Sequence, residues 1–156
     1  MKPTIVEGDL LDQNVEVIVN AWNRNFIPWC LLWPQGVSGA IKRRAGYQPF
    51  RELGRFGTLP LGGAVATSAG RLPFRAIIHV AGLNLLWVSS EKAVRKCVSS
   101  ALQLAQQNDY RSIAFPLIGT GTGGMKPERV LTLMIEEAAT STYEGEIRFV
   151  RFQSTT

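Results

Sequence analysis

The stretch PLIGTGTGGMKPE, Pro116 to Glu128, decides how the chain is organised. Four glycines fall within the six residues 119–124, between an apolar run and a helical pattern. A loop needs this much glycine when its backbone turns through positive φ, or when its amides must lie directly against a ligand. The second alternative predicts a phosphate group, because backbone N–H groups at the start of a helix attract anions.

The segments on either side of this loop indicate an α/β arrangement. Arg111–Ile118 is typical of a buried strand, and Lys126–Thr140 predicts a long helix with Pro127 in its first turn. In open α/β sheets, ligands bind beyond the carboxyl ends of strands, where backbone amides can hold a diphosphate. The loop is not a P-loop, since Gly-Met-Lys-Pro stands where Gly-Lys-Ser/Thr would be needed. A flexible turn is the alternative interpretation.

Strand and helix patterns alternate along the rest of the chain. This order predicts an α/β layered domain with a largely parallel sheet, and 156 residues suit one domain. Ile18 makes the second strand apolar on both faces, as in a sheet covered by helices on both sides. The other predicted strands are 4–7, 15–21, 63–68, 74–81 and 146–152, and the other predicted helices are 36–46, 47–57 and 89–109. In the last strand, Ile147, Phe149, Val150 and Phe152 are expected to form the apolar side, and the tail QSTT is expected to be loose.

Composition excludes several classes of protein. Hydrophobic residues make up 46% and charged residues 19%, an ordinary globular balance. No apolar run reaches the roughly 18 residues of a membrane span, and the start lacks a signal-peptide pattern, so we expect a soluble cytoplasmic protein. Cys30 and Cys97 show no metal spacing, and His79 is the single histidine, so no metal site is expected. A structural or supporting role for His79 is favoured over catalysis, because it lies in a β-branched run.

The net charge of +5 is concentrated in one segment. Such a basic zone can attract nucleic acid or another polyanion, although a solvated face is an equally good interpretation. No signature of paired aromatic residues for RNA is visible. The cationic residues of this segment are Lys42, Arg43, Arg44, Arg51, Arg55, Arg71 and Arg75, against Glu52 alone.

Three further segments could contact a ligand. Gly36 and Gly39 lie at the start of a predicted helix, so this segment and the loop 119–124 could hold two sides of one diphosphate. Asn20 and Asn23 are expected just past a strand end, where asparagine can bind sugar hydroxyls, or can cap a helix or form a turn. Asp9 follows the first strand and could accept from an adenine amino group or cap a turn.

Taken together, these segments resemble the macrodomain family. GDL, VIVNAWN, GVSGAI, GAVATSAGRLPFRAIIHVAG and SIAFPLIGTGTGG match its pattern in order, over about residues 4–139. The resemblance implies a single macrodomain over residues 1–156, with three α/β/α layers, a mixed and largely parallel central sheet, and a cleft for ADP-ribose. Members of the family bind ADP-ribose, and some hydrolyse ADP-ribosyl groups from proteins, nucleic acids or small molecules.

The resemblance assigns roles residue by residue. Asp9 would recognise the adenine amino group, with Leu10 beside it, and Asn20 and Asn23 would lie near the distal ribose. The first phosphate loop would be Gly36, Val37, Ser38 and Gly39; the second would be Ile118, Gly119, Thr120, Gly121, Thr122 and Gly123. The glycines of the opening stretch would then admit a diphosphate.

The chain departs from the hydrolytic branch of the family, which reads NAAN…GGGGVDGAI. Ser38 occupies the position of the aspartate, and serine is a poor general base without a partner. The aromatic loop Arg24–Gln35 replaces the glycine tract, and Gly123 stands where an aromatic residue often packs on the distal ribose. Trp29 or Trp33 could supply that ribose wall, or could pack the loop on the core.

Two main hypotheses follow. In the first, the protein is an enzyme that hydrolyses mono-ADP-ribosyl linkages, with Asn23 and Ser38 as the catalytic candidates and no cofactor. In the second, Ser38 marks a non-catalytic ADP-ribose-binding module. Hydrolysis of a small derivative such as O-acetyl-ADP-ribose is an intermediate hypothesis, and nucleic acid is a secondary candidate partner.

Overall fold

The computed structural model describes residues 2–23, 36–57, 59–83, 90–120 and 124–152, with the side chains of residues 22, 23, 36–38 and 83 excepted. These residues form a six-stranded sheet in the order β1-β6-β5-β2-β4-β3. The strands are β1 (Thr4–Gly8), β2 (Val17–Asn23), β3 (Ala64–Thr67), β4 (Ala76–Leu83), β5 (Ser112–Pro116) and β6 (Glu146–Phe152). The helices are α1 (Gly36–Ala45), α2 (Gln48–Gly54), α3 (Glu91–Gln107) and α4 (Pro127–Ala139).

The sheet is mixed but largely parallel. Every neighbouring pair is parallel except β3 and β4, which pair antiparallel at one edge. Strands that are parallel require crossover connections, and the helices supply them. The predicted mixed, largely parallel sheet is confirmed.

Helices cover the sheet on both faces, because its central strands are apolar on both sides. Val17 and Val19 of β2 pack in the core formed with α3 and α4, whereas Ile18 packs in the core formed with α1 and α2. All three side chains are fully buried. The same alternation holds in β5, where Ile113 and Ala114 face opposite cores. The three-layer α/β/α prediction is therefore confirmed.

The boundaries differ from the predictions in a few places. β2 begins at Val17 rather than Val15, and a 3-10 turn over Leu10–Asp12 was not predicted. Phe152, expected on the apolar side of the last strand, is 69% exposed because β6 ends there beside the edge strand β1. The tail QSTT lies outside the described residues. Among the helices of the described ranges, none is both long and apolar enough to cross a membrane.

The N-terminus of α3 provides a test of the fold. Ser90 Oγ accepts a hydrogen bond from the Ala93 N–H at 3.1 Å, so it satisfies one of the free donors of the first turn. We expect Ser90→Ala to lower the free energy of unfolding by about 1 kcal/mol in urea denaturation. Ser99→Ala is the matched control, since Ser99 is exposed on the same helix. Equal losses in the two variants would show that the cap contributes nothing.

Candidate functional site

The topology creates a crevice at the carboxyl ends of β2 and β5. These two strands are neighbours and run parallel. The chain leaves β2 towards α1 on one face of the sheet and leaves β5 towards α4 on the other face. Connections that diverge in this way from adjacent strands leave a crevice in which open α/β sheets bind their ligands.

The first glycine segment forms the N-terminus of α1. Gly36, Val37, Ser38 and Gly39 are its first four residues. The N–H groups of a helix's first four residues have no partner within the helix, and the helix dipole places partial positive charge there. Gly39 is buried, whereas the side chains of Val37 and Ser38 are outside the described set. The backbone of this segment is suited to an anion.

The second glycine segment forms the β5–α4 loop. Gly119 and Gly124 have φ of +83° and +76°, so glycine is needed at both ends of the loop for its conformational freedom. The Met125 N–H donates to the Gly119 carbonyl at 3.0 Å, and Thr120 Oγ1 donates to the Leu117 carbonyl at 2.9 Å. These two bonds hold the described ends of the loop. Residues 121–123 lie outside the described ranges.

The end of β4 packs against the start of the β5–α4 loop. Ile118 is fully buried, and a Cβ placed on Gly82 would lie 2.9 Å from Ile118 Cγ2. Such a separation is closer than two carbon atoms tolerate, so Gly82 allows β4 to approach the loop. Ile118, assigned by the resemblance to the phosphate loop, therefore anchors the loop's first turn in the core.

Asn23 is the last residue of β2. The register of β2 against β4 shifts between Trp22 and Asn23, so that Asn23 pairs with Leu83 rather than with Gly82. An irregularity of this kind redirects the following side chain and is common next to functional sites. The side chain of Asn23 is itself outside the described set, so its role stays a prediction.

Asp9 caps the 3-10 turn that follows β1. Its Oδ1 accepts from the Leu11 N–H at 2.9 Å, and Leu10 is buried beneath it. The capping role, one of the two alternatives for Asp9, is thus observed. Oδ2 accepts no hydrogen bond from the described part of the chain, so the carboxylate keeps an acceptor for a ligand. Adenine recognition by Asp9 stays a prediction.

Asn20 lies inside the protein, joined to His79. Both side chains are fully buried, and Asn20 Nδ2 lies 3.0 Å from His79 Nδ1. On the other side of the ring, His79 Nε2 lies 2.8 Å from Thr67 Oγ1, which donates to the Ser68 carbonyl at 3.0 Å. Since the Thr67 hydroxyl proton goes to Ser68, it is the His79 Nε2–H that donates to Thr67, and Nδ1 accepts from Asn20.

This chain of hydrogen bonds requires a neutral imidazole. Burial lowers the pKa of His79 to about 3, because the charged form would lose its hydration. The edge of the Phe50 ring packs against His79 with centroids 6.0 Å apart, which closes the site from α2. The expected structural role of His79 agrees with this geometry. Asn20 commits at least one amide proton to His79, and its proposed contact with the distal ribose is untested.

The hydrogen-bond partners of His79 were not predicted from the sequence. Three polar side chains, Asn20, Thr67 and His79, lie on three adjacent strands of an otherwise apolar core. In register, Asn20 pairs with His79, and Thr67 pairs with Ile77, which is two residues before His79 on β4 and on the same face. The signal that could have predicted the network is the rarity of polar residues in these strand segments.

Other reactive groups contribute little to the crevice. Within the described ranges, no three His, Cys, Asp or Glu side chains come together as metal ligands would. Burial raises the pKa of Cys97 to about 12, so its thiol is unreactive in the core. Cys30, Trp29 and Trp33 lie outside the described residues.

Comparisons with known proteins agree with this geometry. The Macro domain family model matches residues 19–134. A macro domain-containing protein of Streptomyces griseus is 40% identical over 96% of this chain and 87% of its own length. A protein of Klebsiella pneumoniae named O-acetyl-ADP-ribose deacetylase is 38% identical over 86% of this chain and 78% of its own. A variant of the Oceanobacillus iheyensis macrodomain solved with ADPR superposes with a TM-score of 0.82 at 29% identity, over 97% of this chain and 84% of that one.

The buried histidine predicts a pH dependence of stability. The pKa of His79 is about 3 in the folded protein and about 6.5 in an unfolded chain. The unfolded state therefore binds more protons between these values, so stability is full above about pH 6.5 and falls as the pH drops towards 3. When the pH is lowered from about 7.5 to about 5.0, the free energy of unfolding should fall by about 2 kcal/mol more in the unmodified protein than in His79→Gln. Urea denaturation at both pH values measures the difference, and parallel losses would contradict it.

Proposed function

Because the chain belongs to the macro domain family, we propose that it forms a single macrodomain that binds ADP-ribose and hydrolyses mono-ADP-ribosyl linkages. The observation that carries the proposal is that two glycine-containing segments follow the ends of adjacent strands, where their backbone N–H groups could bind an anion. The N-terminus of α1 follows β2, the glycine loop 119–124 follows β5, and β2 and β5 are neighbours. A diphosphate presents oxygens on two sides, which suits two such segments.

Asp9 and Asn23 are the residues proposed to contact the rest of ADP-ribose. The free acceptor of Asp9 lies beyond the end of β1 and can accept from the adenine amino group. Asn23 lies at the end of β2, and β6 and β5 separate β2 from β1 in the sheet. The distal ribose would therefore extend towards Asn23, away from Asp9. Similarity to the Oceanobacillus iheyensis macrodomain, a variant of which was solved with ADPR, supports this choice of ligand.

Hydrolysis would proceed by attack of water on the anomeric carbon of the distal ribose. The bond from that carbon to the attached group breaks, the leaving group takes a proton, and the ribose gains a hydroxyl. Asn23 would orient the ribose and the water. Ser38 cannot act as a carboxylate base, so a diphosphate oxygen of the substrate would hold the water by a hydrogen bond, and the proton that the water loses would end on the leaving group.

Two alternatives depend on the same cleft. A non-catalytic ADP-ribose-binding module is favoured by Ser38, which removes the carboxylate of the hydrolytic branch. Hydrolysis of a small ester such as O-acetyl-ADP-ribose is favoured by the name of the Klebsiella pneumoniae relative. Release of ADP-ribose from each class of substrate separates the three hypotheses, whereas binding alone does not.

Binding is tested first by placing a charge in the second loop. In Gly121→Glu, a carboxylate would lie beside the diphosphate, and like charges about 4 Å apart repel by about 4 kcal/mol near a protein surface. We therefore expect calorimetric titration with ADP-ribose to show at least a 100-fold weaker affinity, on the order given by that repulsion. Gly121→Gln is the matched control, with a side chain of similar size and no charge. If folded Gly121→Glu binds like Gly121→Gln, the diphosphate lies elsewhere.

Turnover is tested with a mono-ADP-ribosylated protein and with O-acetyl-ADP-ribose. Asn23→Ala should lower the rate of ADP-ribose release at least about tenfold while leaving the affinity for ADP-ribose nearly unchanged, because Asn23 acts on the reacting ribose. Ser38→Asp should raise the rate, because it restores a carboxylate that can act as a base. No turnover in the unmodified protein, with turnover appearing in Ser38→Asp, would establish the binding module instead.

A further inference from the structure

A basic surface lies on the α1–α2 layer, beyond the cleft. We propose that this surface, the basic face, binds single-stranded nucleic acid. Its cations come from α1, from α2 with the turn that follows, and from the β3–β4 loop. They are Lys42, Arg43, Arg44, Arg51, Arg55 and Arg71.

Helical packing directs the cations outward. In α1, Ile41 and Ala45 are buried one turn apart, which leaves Arg43 and Arg44 exposed. In α2, Pro49, Phe50 and Leu53 are buried. The helix presents its opposite side to solvent, where Arg51 is exposed, and Arg55 is exposed directly after the last residue of the helix.

The β3–β4 loop brings a further cation between the two helices. The Arg71 N–H donates to the Ala45 carbonyl at 3.0 Å. A Cβ on Gly70 would lie 2.3 Å from that carbonyl oxygen, so only glycine permits the loop to approach α1 so closely. The Arg71 guanidinium lies over Gly46, where an added Cβ would be 3.4 Å from its terminal nitrogen. The loop therefore holds a cation at the α1–α2 junction.

Most of the net positive charge of the chain is carried by this face. The sequence has 17 cationic and 12 acidic residues. Two carboxylates lie beside the six cations of the basic face: Asp12 pairs with Arg44 at 3.2 Å, and Glu52 bonds to Ser68. Without these, 11 cations and 10 acids remain, so the rest of the chain is nearly neutral. Arg43, Arg51 and Arg71 make no ion pair with the described residues, which leaves them available for phosphates.

Two aromatic rings lie beside these cations. Tyr47 and Phe56, before and after α2, are 57% and 53% exposed. Lys42 Nζ lies 5.3 Å from the centre of the Tyr47 ring, which places a cation directly beside an exposed ring. Guanidinium groups that track a phosphate backbone, with rings on which bases stack, characterise surfaces that bind single strands.

This combination favours nucleic acid over an anionic membrane. A helix that lies in a bilayer surface presents a broad apolar side to the lipid. The apolar side of α2 faces the protein core, its outward side carries Arg51, and Arg55 follows the helix. A duplex would bring phosphates to the guanidiniums, but its bases are already stacked on one another and would not stack on the rings.

Binding is measured by fluorescence anisotropy of a labelled single strand of about 20 nucleotides, in salt from about 50 to 200 mM. Affinity should fall steeply with salt. The double variant Arg51→Glu, Arg55→Glu should weaken binding at least about tenfold and reduce the slope of log affinity against log salt by about 1.4, or 0.7 for each lost phosphate contact. The control Lys92→Glu, Lys96→Glu makes the same charge change on exposed positions of α3, in the opposite layer.

The rings are tested separately from the charges. Phe56→Ala should weaken binding at least about fivefold with an unchanged salt slope, since stacking contributes about 1–3 kcal/mol per base. Phe152→Ala is the matched control, because Phe152 is 69% exposed at the end of β6. Equal losses in the two charge variants, or tighter binding to vesicles of acidic phospholipid than to the oligonucleotide, would overturn the proposal. Titration with ADP-ribose shows independently whether the cleft functions.

Discussion

Burial of the central strands on both sides is the constraint on which the rest of the structure depends. Val17, Ile18 and Val19 are all fully buried, and they belong alternately to the two cores. Such a strand is stable only between two layers of helices. The helices that follow β2 and β5, α1 and α4, lie on opposite faces of the sheet, and a crevice is expected between two such diverging connections. The candidate site is thus a consequence of how the core is covered.

The same burial creates a problem that the His79 network solves. Polar groups in such a core must find partners, because a buried donor or acceptor without one costs about 1–3 kcal/mol. Asn20, His79 and Thr67 satisfy one another, and the last proton goes to the Ser68 carbonyl. The network joins β2, β4 and β3 below the point where β2 reaches Asn23. It fixes the strand that carries Asn23, the residue proposed to orient the distal ribose.

Local periodicity and the alternation of elements were sufficient to predict a layered α/β domain with a largely parallel sheet, whereas the three α/β/α layers and the mixed sheet were implied by the family resemblance. The glycine loop could also be located, since positive φ at Gly119 and Gly124 demands glycine whatever the tertiary context. The Asn20–His79 bond could not, because it depends on which strands become neighbours and in what register. The register shift before Asn23 and the docking of Gly70 on Ala45 likewise arise from contacts between distant segments. The resemblance supplied the ligand, which neither periodicity nor glycine content identifies.

The exchange of aspartate for Ser38 has opposite effects on binding and on chemistry in the proposed site. An aspartate in the first turn of α1 would offset the partial positive charge that the helix offers to a diphosphate. Serine leaves that partial positive charge intact. The diphosphate therefore binds without the electrostatic repulsion that a carboxylate at this position would cause. The chemistry loses a base, and the negative charge needed to hold an attacking water must then come from the substrate's own phosphates. A site built in this way depends on the diphosphate for its mechanism as well as for its affinity. It would therefore discriminate strongly against ribosyl compounds that lack the diphosphate.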